Sequence, residues 1–386
     1  MTPYDYLADR ISRSEASAID RFWEQFEASA ATLDAVFRGQ SGQDLEVVSN
    51  TMSALGYVHS DLMWEFGSAP DGHRLSITAE FNDAMLVPAR AIVRRAPDIS
   101  GWTFMDARPE QVSLEHFKRN FEARFGSMPL ISEAVFSPGK DGRIGIEVSG
   151  DGPDDVLKTH AAALVSDLMG EWAERQWLGP VHVRPRKKGL LARFKAAPAL
   201  LPDEFRDRFR GAVRLSQEQA PSKPYSAGRT DGDEQHLWRA DGMPPSHPRS
   251  DLLTMTACDA RLVEAILSDG PFASATHSRF CEWFCLLRIA RDDQDPSLFL
   301  QQRRELEEQL QHVLETAGVG GVACTGQGEF FSYLDLALTD IELGLALIEQ
   351  SVEKMRLLPR SDLRFLDLGL RERRVGFSST GSTRTH

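Results

Sequence analysis

At 386 residues, with 41% hydrophobic and 26% charged side chains, the chain is too long for one core and too apolar to stay disordered, so more than one folded module is expected. A formal net charge of −13 argues against non-specific nucleic-acid binding by the molecule as a whole, because a polyanion repels it. Cys258, Cys281, Cys285 and Cys324 are too few for a disulfide framework, no basic and apolar leader opens the sequence, and no apolar run approaches the ~20 residues of a membrane span, so a cytoplasmic protein without a transmembrane segment is expected.

In chain order, residues 1–58 read as a helical N-terminal segment, with Ile19, Phe22, Trp23, Phe26, Ala30 and Leu33 at helical spacing and a further helix through Val48, Met52 and Leu55. Residues 59–185 read as a first α+β module. Strands are expected at 62–66, 75–79 and 102–105, with a helix at 88–96 between the last two. Ser113 caps a helix that presents Phe117, Phe121 and Phe125 and stops at Gly126. Pro138-Gly139-Lys140-Asp141-Gly142 turns a hairpin, and one long helix from Pro153 carries Leu157, Ala161, Leu164, Leu168 and Trp172 to a final strand at 181–183.

Residues 186–250 are rich in Pro, Ser and charge and read as a basic linker holding at most short helices, with Arg186, Lys187, Lys188, Arg193 and Lys195 as its cationic patch. The patch is the one place where nucleic acid or a membrane surface is expected to touch the chain; a solvated linker is the simpler reading.

Residues 251–370 read as a second α+β module. A strand at 252–256, a helix at 259–267 and a strand at 283–289 precede a helix opened by Asp295-Pro296, lined by Phe299, Leu306, Leu310, Val313 and Ala317 and ended by Gly318. Strands at 319–325 and 330–338 lead to the capping box Thr339-Asp340-Ile341-Glu342, a helix through Leu345, Ile348, Val352 and Met355, and a last strand at 363–366. Residues 371–386 form a polar tail expected to be disordered. Residues 75–185 and 252–368 share one order of elements, β-α-β-α-β-β-α-β. The fold class is therefore α+β, expected as two ferredoxin-like (split βαβ) modules in tandem behind the helical segment.

Gly318-Val319-Gly320-Gly321-Val322-Ala323 has the spacing of a dinucleotide fingerprint, yet it follows a helix and enters a strand, the reverse of what phosphate binding needs, so it reads as a helix stop and a tight turn. His277, Cys281 and Cys285 are spaced by four. On a strand that is ~13 Å per step, too far to share an ion, so core packing is expected and no metal or cofactor is called for. No nucleophile elbow, zinc helix or Walker loop occurs. On the strand at 330–338, Phe331 and Tyr333 share one face and Leu334, Leu336 and Leu338 the other, which makes the aromatic face a candidate binding surface.

The stretch Gly318 to Thr339, with Tyr333-Leu334-Asp335-Leu336 leading into a capped helix, resembles parts of uncharacterised bacterial domains of unknown function. The resemblance implies a bacterial origin and a non-catalytic α+β module, and implies no activity. The expected function is a non-enzymatic regulatory or interaction protein of inhibitor, immunity or adaptor type, acidic, binding a partner protein through its sheet faces. The alternative is a small-molecule sensor or enzyme with its ligand between the two modules, where Trp64, Glu65, Phe331, Tyr333 and Asp335 are the candidate residues.

Overall fold

The computed structural model describes residues 1–39, 45–80, 82–111, 113–184, 200–227, 236–239, 242–268, 270–290, 296–354, 360–376 and 384–385. The chain is α+β and divides into a unit at Pro3–Pro109 and a unit at Glu110–His386 that includes Met1–Thr2.

In the first unit, α1 (Pro3–Ala8), α2 (Arg13–Phe37), α3 (Leu45–Gly56) and α4 (Leu86–Arg94) accompany a sheet of order β1-β2-β3. Strands β1 (Met63–Ala69) and β2 (Gly72–Thr78) form a hairpin, and β3 (Trp102–Met105) runs parallel to β2 because α4 carries the chain back. The apolar stripe of α2 (Ile19, Phe22, Trp23, Phe26, Ala30 and Leu33) is buried against Leu75, Ile77 and Ile92. Ser12 caps α2 through Glu15 N at 3.2 Å, and Trp23 Nε1 donates to Ile92 O at 2.8 Å. The helical segment and the first strands thus share one core.

The second unit holds two sheets. In the smaller, β4 (Ile131–Pro138) and β5 (Ile144–Gly150) form the hairpin read from the sequence, and β6 (Leu178–Val183) lies parallel to β5. Around it are α5 (Leu114–Phe125), α6 (Asp154–Met169), α7 (Glu171–Trp177) and α8 (Pro202–Glu218). Gly170, at φ 84, breaks the expected long helix into α6 and α7, a left-handed turn that any Cβ would strain.

Helix α8 departs most from the sequence reading, which put residues 186–250 down as a linker. Its Phe205, Phe209, Ala212 and Ser216 are buried on one face, and Phe205 and Phe209 stand edge-on to Phe136 at 5.0 and 6.1 Å. Three of the four cations of this helix are paired, Arg206 with Asp203, Arg208 with Glu204 and Arg210 with Glu110. Arg186, Lys187, Lys188, Arg193 and Lys195 lie outside the described residues.

The larger sheet has the order β14-β13-β12-β9-β11-β10-β8-β7. Its members are β7 (His236–Arg239), β8 (Leu252–Ala257), β9 (Trp283–Ala290), β10 (Gly320–Gly328), β11 (Phe331–Leu338), β12 (Asp362–Phe365), β13 (Arg374–Gly376) and β14 (Arg384–Thr385). With α9 (Ala260–Leu267), α10 (Pro296–Thr316) and α11 (Ile341–Lys354), the run β9-α10-β10-β11-α11-β12 forms a β-α-β-β-α-β unit of spatial order 4-1-3-2, antiparallel throughout. The first half does not repeat it: β3 pairs with β2 in one sheet, while β4, β5 and β6 form another. Two modules in tandem are therefore not confirmed.

Asp340, rather than Thr339, caps α11 by accepting from Leu343 N at 3.2 Å, which leaves the Thr339 hydroxyl to donate to Val319 O. Gly318 ends α10 at φ 69, and at Gly321 a Cβ would strike the Tyr225 carbonyl, so the glycines serve a helix stop and a close backbone approach.

One side chain ties the two sheets together. Arg261 of α9 donates to Ser216 O and Oγ at 3.3 Å each and to Thr276 O at 3.4 Å. Thr276 Oγ1 shares its one proton between Ala273 O at 2.9 Å and Asp141 O at 3.1 Å, and Ser216 Oγ donates to Gly142 O at 2.5 Å. The β4–β5 turn, the end of α8 and the segment before β9 meet on that guanidinium.

Because α8 is part of a core, Phe209→Ala should lower unfolding free energy by about 3–5 kcal/mol. Leu215→Ala on the exposed face should cost less than ~0.5 kcal/mol. Urea denaturation of the two variants separates a core helix from a linker.

Candidate functional site

Strand β11 is central, between β9 and β10, and both of its faces are covered. Leu334, Leu336 and Leu338 are fully buried on one face, with Leu338 against Gly344 of α11. On the other face Tyr333 is 1% and Asp335 0% exposed, where an open aromatic surface was expected; alternation along a strand tells which residues share a face and not what covers it. The cover is α9, the segment around Phe272 and the chain leading into β8.

The register brings a set of charges together on this face. Asp335 lies opposite Leu286 and Leu286 opposite Arg364; one step along, Tyr333 lies opposite Arg288 and Arg288 opposite Asp362. Arg249, 1% exposed, reaches down from 242–250 and pairs with Asp335. Arg288 binds Asp362 through two nitrogens at 3.2 and 2.6 Å, and Arg364 approaches the same carboxylate at 3.3 Å. Phe331, half-buried, lies 4.4 Å under the Arg288 guanidinium, a cation–π contact. The Tyr333 hydroxyl donates to Asp251, whose other oxygen accepts from Phe330 N and Phe331 N at 2.5 and 3.0 Å.

Beside the Arg249–Asp335 pair is a cavity with about 10 Å³ open to the centre of a water-sized sphere, space for one small guest. His247, Arg249, Arg364 and Arg371 line it with Phe272, Leu286, Phe365 and Leu366. His247 Nδ1 accepts from Arg249 N at 3.2 Å, so the proton sits on Nε2, which donates to Ile266 O at 3.2 Å. Arg371 donates to Leu366 O and Gly270 O. Arg249 Nε and Asp335 Oδ2 are buried without a hydrogen-bond partner.

Burial dominates the electrostatics. It raises Asp335 above the usual carboxylate range, with Arg249 opposing. It lowers Arg364, where Asp362 opposes and the Arg288 and Arg374 guanidiniums add to the fall. Asp367, buried at the edge of this face, is pushed up to about 6 by desolvation although Ser274 N and Oγ donate to it at 2.8 and 2.5 Å. His277 is 1% exposed, stacked on Phe272 at 5.0 Å, with neither ring nitrogen hydrogen-bonded. Burial, with Arg261 assisting, lowers its pKa to about 3.

Of the residues singled out in the sequence, Phe331, Tyr333 and Asp335 meet on this face. Trp64 and Glu65 belong to the other unit, where Trp64 packs on Phe66 at 5.6 Å and Glu65 accepts from Arg74 at 2.9 Å. Arg249, Arg364, Arg371 and His247 were missed. Their sequence signal is slight: two sit inside or just before strand runs, and His247-Pro248-Arg249 falls in a stretch that composition marks as linker. His277 and Cys285 are core residues and Cys281 is exposed, and among the described residues no group of three His, Cys, Asp or Glu is placed to hold a metal ion.

Removing one partner of a buried ion pair strands the other. Arg249→Met should cost about 3–5 kcal/mol, and Arg249→Met with Asp335→Leu should recover most of it, as read by denaturation midpoints. Two pH effects should oppose each other. Asp367 titrates higher in the folded than in the unfolded chain, so it lowers stability as pH rises from about 4 to about 6, by about 3 kcal/mol. His277 titrates lower when folded, so it lowers stability as pH falls from about 6.5 toward 3. Asp367→Asn should therefore steepen the loss of Tm on acidification, and His277→Phe should flatten it. Comparison with protein-family models, with curated proteins and with solved structures finds no match for this chain.

Proposed function

We propose that this is a ligand-binding regulatory protein whose ligand, a group of at most a few atoms, enters the charged cavity on the inner face of the large sheet. The observation that carries this reading is a cavity walled by Arg249, Arg364, Arg371 and His247, with the buried Arg249 Nε left without an acceptor. The site differs in place from the one expected between two modules: it is lined by residues of the large sheet and α9 together with His247, Pro248, Arg249 and Arg371 from the chain on either side of 251–370. The spatial order of β9 to β12 supports reading that module as ferredoxin-like, a fold that leaves function to the site it carries.

A protein-interaction role keeps one supporting observation. Phe330 and Leu253, each 55% exposed, flank Asp251 at one end of the sheet, and the net charge of −13 suits a basic partner. The free thiols of Cys258, Cys281, Cys285 and Cys324 support placement in a reducing compartment. Among the described residues no helix is long and apolar enough to cross a membrane.

A melting-temperature screen of the full chain against small ions and neutral compounds of a few atoms tests the ligand reading. A compound that raises Tm in the native protein and loses its effect in Arg371→Met supports it. Failure of every compound, together with stoichiometric capture of a partner protein that Phe330→Ser abolishes, favours the interaction role instead.

A further inference from the structure

We propose that strand β1 is the self-association edge of this protein, on which the β1 of a second copy adds antiparallel about Phe66. The inference concerns the first unit and does not depend on the ligand reading. Strand β1 pairs with β2 without a break from Met63↔Thr78 to Ala69↔Gly72, and among the described residues no other strand pairs with it. Alternate backbone N–H and C=O groups along β1 therefore turn away from β2 with no ladder to join. Nothing blunts that edge: Met63–Ala69 holds no Lys, no Pro and no bulge, and its Met63 and Trp64 are 49% and 39% exposed.

Self-complementarity identifies the occupant. With Phe66 opposite its own copy, Trp64 meets Ser68, Glu65 meets Gly67 and Met63 meets Ala69, so each large side chain faces a small one. The charges fit as well. Arg74, opposite Gly67 in the β1–β2 register, lays its guanidinium in the space a Gly67 side chain would fill, and donates to Glu65 at 2.9 Å. Each Glu65 then stands against the Arg74 of the second copy, and the two ion pairs close into one alternating ring of four charges. Sliding the strands by two residues sets Glu65 against Glu65, or runs Trp64 against Pro70, which has no N–H to give. A slip of one turns the aromatic face of one copy to the charged face of the other. One register is left.

The full chain is followed by sedimentation velocity from about 1 to 100 μM in ~0.15 M salt, where the −13 on each copy is screened beyond about 8 Å. The mass should rise from 43.0 kDa toward twice that value, and hydrogen exchange in peptides covering 63–69 should slow over the same range. Glu65→Arg and Arg74→Glu each set like charges across the edge, and each should weaken association on the order of tenfold or more. Mixing the two variants should restore it, because unlike copies present opposite charges to each other while the repulsion within each chain persists. A chain that stays at 43.0 kDa throughout overturns the proposal. So does a mass that doubles without slower exchange in 63–69, or that both variants leave unchanged, since another surface then joins the copies. Protection of 63–69 by a different polypeptide while the chain stays single also overturns it. Should either variant fail to fold, concentration-dependent exchange in the native chain decides.

Discussion

A carboxylate in the middle of a central strand has to be neutralised where it stands, and Asp335 sets that condition for the large sheet. It is fully buried, and the cation that meets it comes from outside the sheet. Arg249 can reach it only if 242–250 lies across the strands, and that path brings His247 over α9 and Asp251 onto Tyr333. The irregular chain ahead of β8 is thus fixed by one ion pair. A hydrophobic pair of the same shape would hold this face at least as firmly. The pair's contribution is to specify which segment covers the strand, and it leaves behind it a cavity in which cations prevail.

Much of the fold is legible in the sequence. The stripe of α2, the Ser113 cap and Gly126 stop of α5, the turn at 138–142 and the elements of β9 to β12 all follow from local periodicity and turn chemistry. Local rules run out at strand pairing, because which strands share a sheet depends on contacts tens of residues apart. β3 joins β2 rather than β5, and nothing in the sequence near Trp102 says so. Helix α8 was hidden for another reason. Its spacing of Phe205, Phe209 and Ala212 is regular, but Pro, Ser and charge around it outweighed the period.

The candidate site was half legible. Phe331 and Tyr333 read as an open aromatic face of an apolar strand, and that face, with Asp335 on it, is the floor of a buried site. Three of the four polar groups that complete the cavity lie on irregular chain or just past a strand end, where no pattern marks them. Asp335 itself was the available signal. A charged residue amid buried leucines needs a buried partner, and any arginine in nearby irregular chain becomes a candidate for it.

The hydrogen bond from Thr276 to the Asp141 carbonyl closes a separation of 135 residues. Such a contact forms only after a large loss of chain entropy, so it belongs to the slow end of folding. During synthesis the β4–β5 turn leaves the ribosome long before Arg261 and Thr276 exist to cover it. At ~5–20 residues per second the hairpin waits on the order of ten seconds with Gly142 and the end of α8 bare. The join between the two sheets is therefore also a checkpoint in assembly: a chain interrupted before Thr276 presents an unfinished surface that a complete one conceals.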